Sequence, residues 1–130
     1  MKFKKNKKFS PKVSVIVPVF NNSEQLVKCI YALVNQSYPA DLYHIIVVDN
    51  GSTEKIKNVL LGFTGVTYIL ENRPGSYIAR NTGIKYASGE IIAFTDSDCI
   101  PKYDWLENGI DIFCEIILIF SKSYPCLLPS

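Results

Sequence analysis

The sequence predicts an α/β fold with an open, mostly parallel sheet and flanking helices. Three observations carry that expectation. Short apolar runs alternate with segments of helical periodicity, at the spacing of βαβ units. The runs are continuously apolar, as strands covered on both faces are, rather than apolar at every second position. Polar residues follow each run directly, which gathers them at one edge of the sheet.

Residues 12–19 form the first run, rich in Val and Ile and of buried-strand length. Asn22, with Gln25 three residues on, has the pattern of a helix N-cap. Behind it Leu26, Val27, Ile30, Leu33 and Val34 fall on one helical face. Ser37-Tyr38-Pro39 closes that helix, because proline disfavours helical geometry in the residue before it. Residues 44–48 are a second strand, and Asn50-Gly51-Ser52-Thr53 leads into a short helix ending near Leu61. Residues 66–70 are a third strand. After a polar loop, residues 77–87 are helical and stop near Ser88-Gly89, where glycine suits a left-handed C-terminal position. Residues 90–95 are the fourth strand, and a further helix starts near Lys102 and carries Trp105 and Leu106.

The 130 residues suffice for one domain with one core. A composition 48% hydrophobic and 20% charged excludes a disordered chain. Net charge is +2, but five lysines (Lys2, Lys4, Lys5, Lys7 and Lys8) lie in the first eight residues. Without them nine of the 14 Lys and Arg face 12 Asp and Glu, leaving the body at −3. Residues 1–11 are therefore expected to be a basic, disordered arm, residues 12–109 the folded domain, and residues 110–130 an atypical apolar tail. The arm could meet anionic lipid head groups, at about 1 kcal/mol per charge near the surface. No nucleic-acid partner is expected.

The run after the arm is no export signal, since Pro18 interrupts it and Asn21-Asn22 replaces a small-residue cleavage pattern. Residues 110–120, the longest apolar candidate, contain Asp111 and Glu115 and fall short of a membrane span. Cys29, Cys99, Cys114 and Cys126 show no metal-site spacing. Scattered thiols without an export signal point to a reducing compartment, hence a cytoplasmic location, with the inner membrane surface as a further option. Cys29 and Cys114 read as small core residues, Cys99 as packing beside its neighbours, and His44 as a strand-edge residue without a role.

The chemistry sits after the strands. Asp96 and Asp98 in Thr95-Asp96-Ser97-Asp98-Cys99 occupy alternate positions, which on an extended segment point to one side, with Ser97 opposite. Such a pair suits Mg²⁺ or Mn²⁺, held by carboxylates and substrate phosphate oxygens. Asp49 ends the second strand, Asn72-Arg73-Pro74-Gly75 follow the third, and Arg80 and Asn81 lie in the next segment. In open α/β sheets ligands bind beyond the carboxyl ends of the strands. Neither the glycine-rich dinucleotide fingerprint nor a phosphate loop of the ATPase type is present. An acidic pair facing Asp49 and Arg80 suits a nucleoside diphosphate, the cation taking the diphosphate and the other two the base and ribose.

Four stretches in order carry a family resemblance: Val13-Ser14-Val15-Ile16-Val17-Pro18-Val19-Phe20-Asn21-Asn22, Val47-Val48-Asp49-Asn50-Gly51-Ser52-Thr53, Ala79-Arg80-Asn81-Thr82-Gly83-Ile84 and Phe94-Thr95-Asp96-Ser97-Asp98. Over residues 12–106 the chain resembles the family 2 glycosyltransferases. The resemblance implies a GT-A, Rossmann-like fold and inverting transfer of a sugar from a nucleotide-diphosphate sugar, with uridine the family's commonest base. It also implies a glycan or lipid-linked acceptor and a role in polysaccharide biosynthesis. By resemblance, Pro18, Val19 and Phe20 pack around the base and Asp49 hydrogen-bonds it. Arg80 contacts the nucleotide, Asp96 the ribose or donor sugar, and Asp98, with Asp96, the divalent metal.

Inversion also needs a general base for the acceptor hydroxyl, and here the chain departs from the family. That base is usually an Asp or Glu well downstream, yet only 32 residues follow Asp98. Asp104, Glu107, Asp111 and Glu115 crowd one predicted helix, in no recognisable base motif, so the catalytic base is unassigned. The tail, Ile116-Ile117-Leu118-Ile119-Phe120 and beyond, resembles nothing in the family. The sequence therefore reads as a truncated, donor-binding half, an active transferase or a nucleotide-sugar-binding module without turnover.

Overall fold

A computed structural model describes residues 10–113. The lysine arm, Cys114, Glu115, Cys126 and the run at 116–120 lie outside the described residues. Strands β1 (Val13–Val19), β2 (Tyr43–Asp49), β3 (Val66–Leu70) and β4 (Ile91–Phe94) form a sheet in the order β3-β2-β1-β4, every neighbouring pair parallel. Helix α1 (Ser23–Val34) links β1 to β2, α2 (Ile56–Val59) links β2 to β3, and α3 (Ser76–Lys85) links β3 to β4. A last helix, α4, covers residues 105–113. It runs without a break through Ile110, which is buried. No helix among the described residues is long and apolar enough to cross a membrane.

Side-chain alternation divides the core in two. Val13, Val15, Val17 and Val19 face Leu26, Cys29, Ile30 and Leu33 of α1, Ile56 at α2, and Leu106 and Ile110 of α4. Ile16, Ile46 and Val48 face the other way, against Ala79 of α3. Burial on both faces is the physical reason for the continuous apolar runs. The chain adds strands leftward from β1 to β3 and then crosses to the far side of β1 for β4. With right-handed crossovers, that reversal moves α3 to the opposite face of the sheet and leaves a switch point between β1 and β4.

Helix α1 starts differently from its sequence signal. Asn21 and Asn22 are both left-handed, with φ of 59° and 57°. Asparagine tolerates that conformation in a sharp turn. It is incompatible with the extended geometry an N-cap side chain needs, and Asn22 makes no capping bond. Glu54, from the loop before α2, caps the helix instead, its Oε1 accepting the Ser23 N–H at 2.8 Å. At the other end the helix stops at Val34, ahead of Pro39. Gln36 then reaches across to α4, accepting the Leu106 N–H at 2.8 Å and donating to the Lys102 carbonyl at 2.7 Å.

Gly89 is not left-handed; its role is close approach. A Cβ there would lie 2.5 Å from the backbone nitrogen of Ser14 and 2.7 Å from the carbonyl carbon of Val13. The same crossing point explains His44, the second residue of β2, which is in register with Ser14 of β1. Buried Ser14 Oγ accepts the N–H groups of Gly89 at 2.8 Å and Ser88 at 3.2 Å. Both lone pairs are thus used, and the hydroxyl proton goes to His44 Nε2 at 2.5 Å. His44 is therefore neutral, and burial pushes its pKa below the ordinary value.

That arrangement predicts a pH dependence. Between the lowered folded pKa and the ordinary value of about 6.5, the unfolded chain binds more protons than the folded one. Stability is then full above about pH 6.5 and falls as the pH drops below it. Urea midpoints at pH 7.5 and 5.5 should show this loss, and His44→Gln, which keeps an acceptor, should remove part of it. An identical pH dependence in both proteins would refute the assignment.

Candidate functional site

Parallel strands bring four loops to one edge of the sheet, and the cleft lies at the β1–β4 switch point. It encloses about 280 Å³. Six of the seven sequence candidates line it: Pro18, Val19, Phe20, Arg80, Asp96 and Asp98. Asn22, Asn50, Ser76 and Ser97 complete the wall. Phe20, 59% exposed, presents its ring at the rim.

Asp96 and Asp98 converge, but through a turn rather than an extended segment. The Cys99 N–H donates to the Asp96 carbonyl at 3.1 Å. The turn also brings Ser97 to the cleft, which strand alternation had placed opposite, and leaves Cys99 exposed rather than packed. Potential ligand atoms of Asp96, Asp98 and Cys99 lie within 4.8 Å of one another. Two carboxylates with open positions beside them fit a hard cation such as Mn²⁺ or Mg²⁺, which retains waters and takes phosphate oxygens. Arg80 Nη2 lies 3.2 Å from Asp96 Oδ1. An exposed pair of this kind contributes little to stability, so both groups remain available to a ligand.

Asp49 stands apart from this cleft. It borders an adjoining hollow of about 370 Å³, together with Ser52, Tyr68 and Asn72. Its carboxylate is buried, Oδ1 accepting the Ser52 N–H at 2.9 Å and Oδ2 the Tyr68 hydroxyl at 2.6 Å. Burial, the bond to Asp49 and the charge of Asp49 push the Tyr68 phenol up to about 12.

Three polar residues that sequence reasoning left without a role hold the loops together. Asn21 Oδ1 accepts the N–H groups of Thr53 and Glu54 at 3.0 and 3.1 Å, while the Asn21 N–H donates to Ser52 Oγ at 2.6 Å. The loops after β1 and β2 are thereby clasped. Asn50 joins the loops after β2 and β3, donating to the carbonyls of Glu71 and Arg73 at 3.0 and 2.7 Å and accepting the Gly75 N–H at 3.0 Å. Glu71, also buried, accepts from the Arg73 side chain at 2.9 Å and from the Thr82 hydroxyl at 2.6 Å. Arg73 and then Thr82 hold its carboxyl well below the usual carboxylate range. The Asn21-Asn22 pair was the one local signal of this scaffold, as a left-handed turn; Asn50 and Glu71 act over distances no local pattern encodes. Of the downstream carboxylates, Glu107 accepts the Ser37 hydroxyl at 2.6 Å, and Asp104, Glu107 and Asp111 do not line the cleft.

Comparison with known proteins agrees with this geometry. The family model described as Glycosyl transferase family 2 matches residues 14–119. The glycosyltransferase AglE of Haloferax volcanii is 46% identical over 105 residues, covering 77% of this chain and 34% of that protein. The mannosyltransferase PcManGT from Pyrobaculum calidifontis, in complex with GDP-Man and Mn²⁺, superposes with a TM-score of 0.68 at 30% identity, over 72% of this chain and 29% of the other. S. aureus TarS 1-349 in complex with UDP superposes with a TM-score of 0.74 at 26% identity, over 80% and 32%. The chain spans about a third of the length of each of these three proteins.

Proposed function

The chain belongs to the family 2 glycosyltransferases, and we propose that it binds a nucleotide-diphosphate sugar, UDP-linked, together with Mn²⁺ or Mg²⁺ in the cleft between β1 and β4. One observation carries this reading: Asp96, Asp98 and Arg80 meet Pro18, Val19 and Phe20 at the carboxyl end of the sheet. Similarity to proteins seen with UDP and with GDP-Man plus Mn²⁺ supports it.

In the proposed complex Asp96 and Asp98 hold the cation and Arg80 leaves Asp96 for the nucleotide. Phe20 covers the base, and Asp49 accepts a hydrogen bond from it. A bound divalent cation supplies Lewis-acid stabilisation of the departing diphosphate. The side chains orient the donor, and orientation accounts for much of a transfer rate. The reaction is inverting transfer to a glycan or lipid-linked acceptor, in polysaccharide biosynthesis. A cytoplasmic location, with the five N-terminal lysines against an anionic membrane surface, belongs to the same proposal.

A second reading, a nucleotide-sugar-binding module without turnover, has its own support. Among the described residues the cleft is lined by no carboxylate besides Asp96 and Asp98, so no side chain there is free to serve as the general base. Calorimetric titration with UDP and GDP, with and without Mn²⁺, tests what the two readings share. Mn²⁺ should tighten binding of at least one nucleotide; failure of both to bind with Mn²⁺ present would overturn the proposal. A radiolabelled donor then separates them, since transfer to an acceptor sugar requires the first reading.

A further inference from the structure

The hollow beside the cleft contains a residue with no assigned part in ligand binding. On parallel strands, in-register partners point to the same face; Val47 pairs with Tyr68 and Asp49 with Leu70. Tyr68 and Asp49 are therefore diagonal neighbours on one face of the sheet, a separation that a tyrosine can bridge. It does so at 2.6 Å, to Asp49 Oδ2. The Ser52 N–H holds Oδ1 at 2.9 Å, so each carboxylate oxygen has one fixed donor.

We infer that Tyr68 is a positioning residue for base recognition: together with the Ser52 N–H it fixes the plane of the Asp49 carboxylate, so that a free lone pair faces a nucleobase N–H. This rests on the base-reading role of Asp49 proposed above. Four acceptor positions are available on a carboxylate, and two donors leave two of them unused. Without the phenol, Asp49 retains one anchor and can turn about its Cβ–Cγ bond. A rotating acceptor loses most of its advantage, because preorganisation is what makes one hydrogen bond selective. Lys57, whose ammonium lies 5.9 Å from the centre of the Tyr68 ring, holds the ring from the helix side. Burial and the adjacent carboxylate keep the phenol protonated far above neutral pH, so it is always a donor to Asp49.

Tyr68→Phe keeps the ring and removes only the hydroxyl. Calorimetry with UDP, GDP and inorganic pyrophosphate, each with Mn²⁺, should show binding of the preferred nucleotide about fivefold to tenfold weaker. Pyrophosphate binding should be unchanged, a selectivity that general loosening of the fold would not give. In an Asp49→Ala background, Tyr68→Phe should have no further effect. Equal nucleotide affinities in wild type and Tyr68→Phe, with Asp49→Ala still base-selectively weakened, would overturn the role of Tyr68 alone. If Asp49→Ala itself spares nucleotide binding or weakens pyrophosphate equally, the base-reading role of Asp49 fails first. Should Tyr68→Phe melt at a much lower temperature, Val66→Ala, which loosens β3 without lining the hollow, provides the control: pyrophosphate weakened alongside nucleotide in both variants would also overturn the inference.

Discussion

Asp98→Ala should abolish the Mn²⁺-dependent part of nucleoside-diphosphate binding. Losing one of two carboxylates from a site this open should cost about 100-fold or more in cation affinity. Binding measured without metal should change little, because Arg80 and Phe20 are untouched. Cys99→Ser is the informative control: Cys99 is exposed, and a hard cation has little use for a thiolate beside carboxylates. Equal enhancement by Mn²⁺ in wild type and Asp98→Ala would remove the cation from this turn. Loss in Cys99→Ser as large as in Asp98→Ala would assign a softer metal.

The largest effect on stability is expected at Gly89. Its added Cβ would collide with the backbone of β1, which cannot yield as a side-chain tip would. Overpacking of this kind costs about 3 kcal/mol, and here it also pushes the Ser88 and Gly89 N–H groups away from Ser14. Gly109→Ala is the contrast. It lies in α4 with open space around its Cβ position, so it should stabilise by about 0.5–1 kcal/mol. Urea denaturation of both variants checks the pair; a Gly89→Ala midpoint at or above wild type would contradict the close approach described here.

The fold was legible because burial on both faces leaves its mark in composition: the Val and Ile of β1 and β2 can belong only to covered, parallel strands. Sheet topology placed Asp96 and Asp98 at the ligand edge, and the family resemblance added Phe20 and the nucleotide contact of Arg80; Asp49, expected at the same pocket, borders the adjoining hollow. The errors have a common physical source. Asn22, Gly89 and Ser97 were read from simple local patterns, yet the first two are governed by contacts from elsewhere and the third by a turn that breaks strand alternation. Glu54 takes the capping role from Asn22, β1 presses on Gly89, and a turn rotates Ser97 into the cleft. Tyr68 was hidden for a similar reason, since a tyrosine in a strand reads as core. Its hydroxyl acquires meaning only from the register with β2.

The separation of the Asp49 hollow from the Asp96–Asp98 cleft has an evolutionary consequence. The hollow around the buried carboxylate is built from β2, β3, the segment between them and Asn72 just after β3, whereas the acidic turn follows β4 and Arg80 lies on α3. The hollow and the cleft share no lining residue, although Asn21 and Asn50 clasp the loops that border both. Under the proposed roles, preference for one nucleobase over another can drift through residues of the hollow such as Tyr68, while Asp96, Asp98 and Arg80 keep hold of the diphosphate. A scaffold divided in this way lets a lineage change donors one moiety at a time.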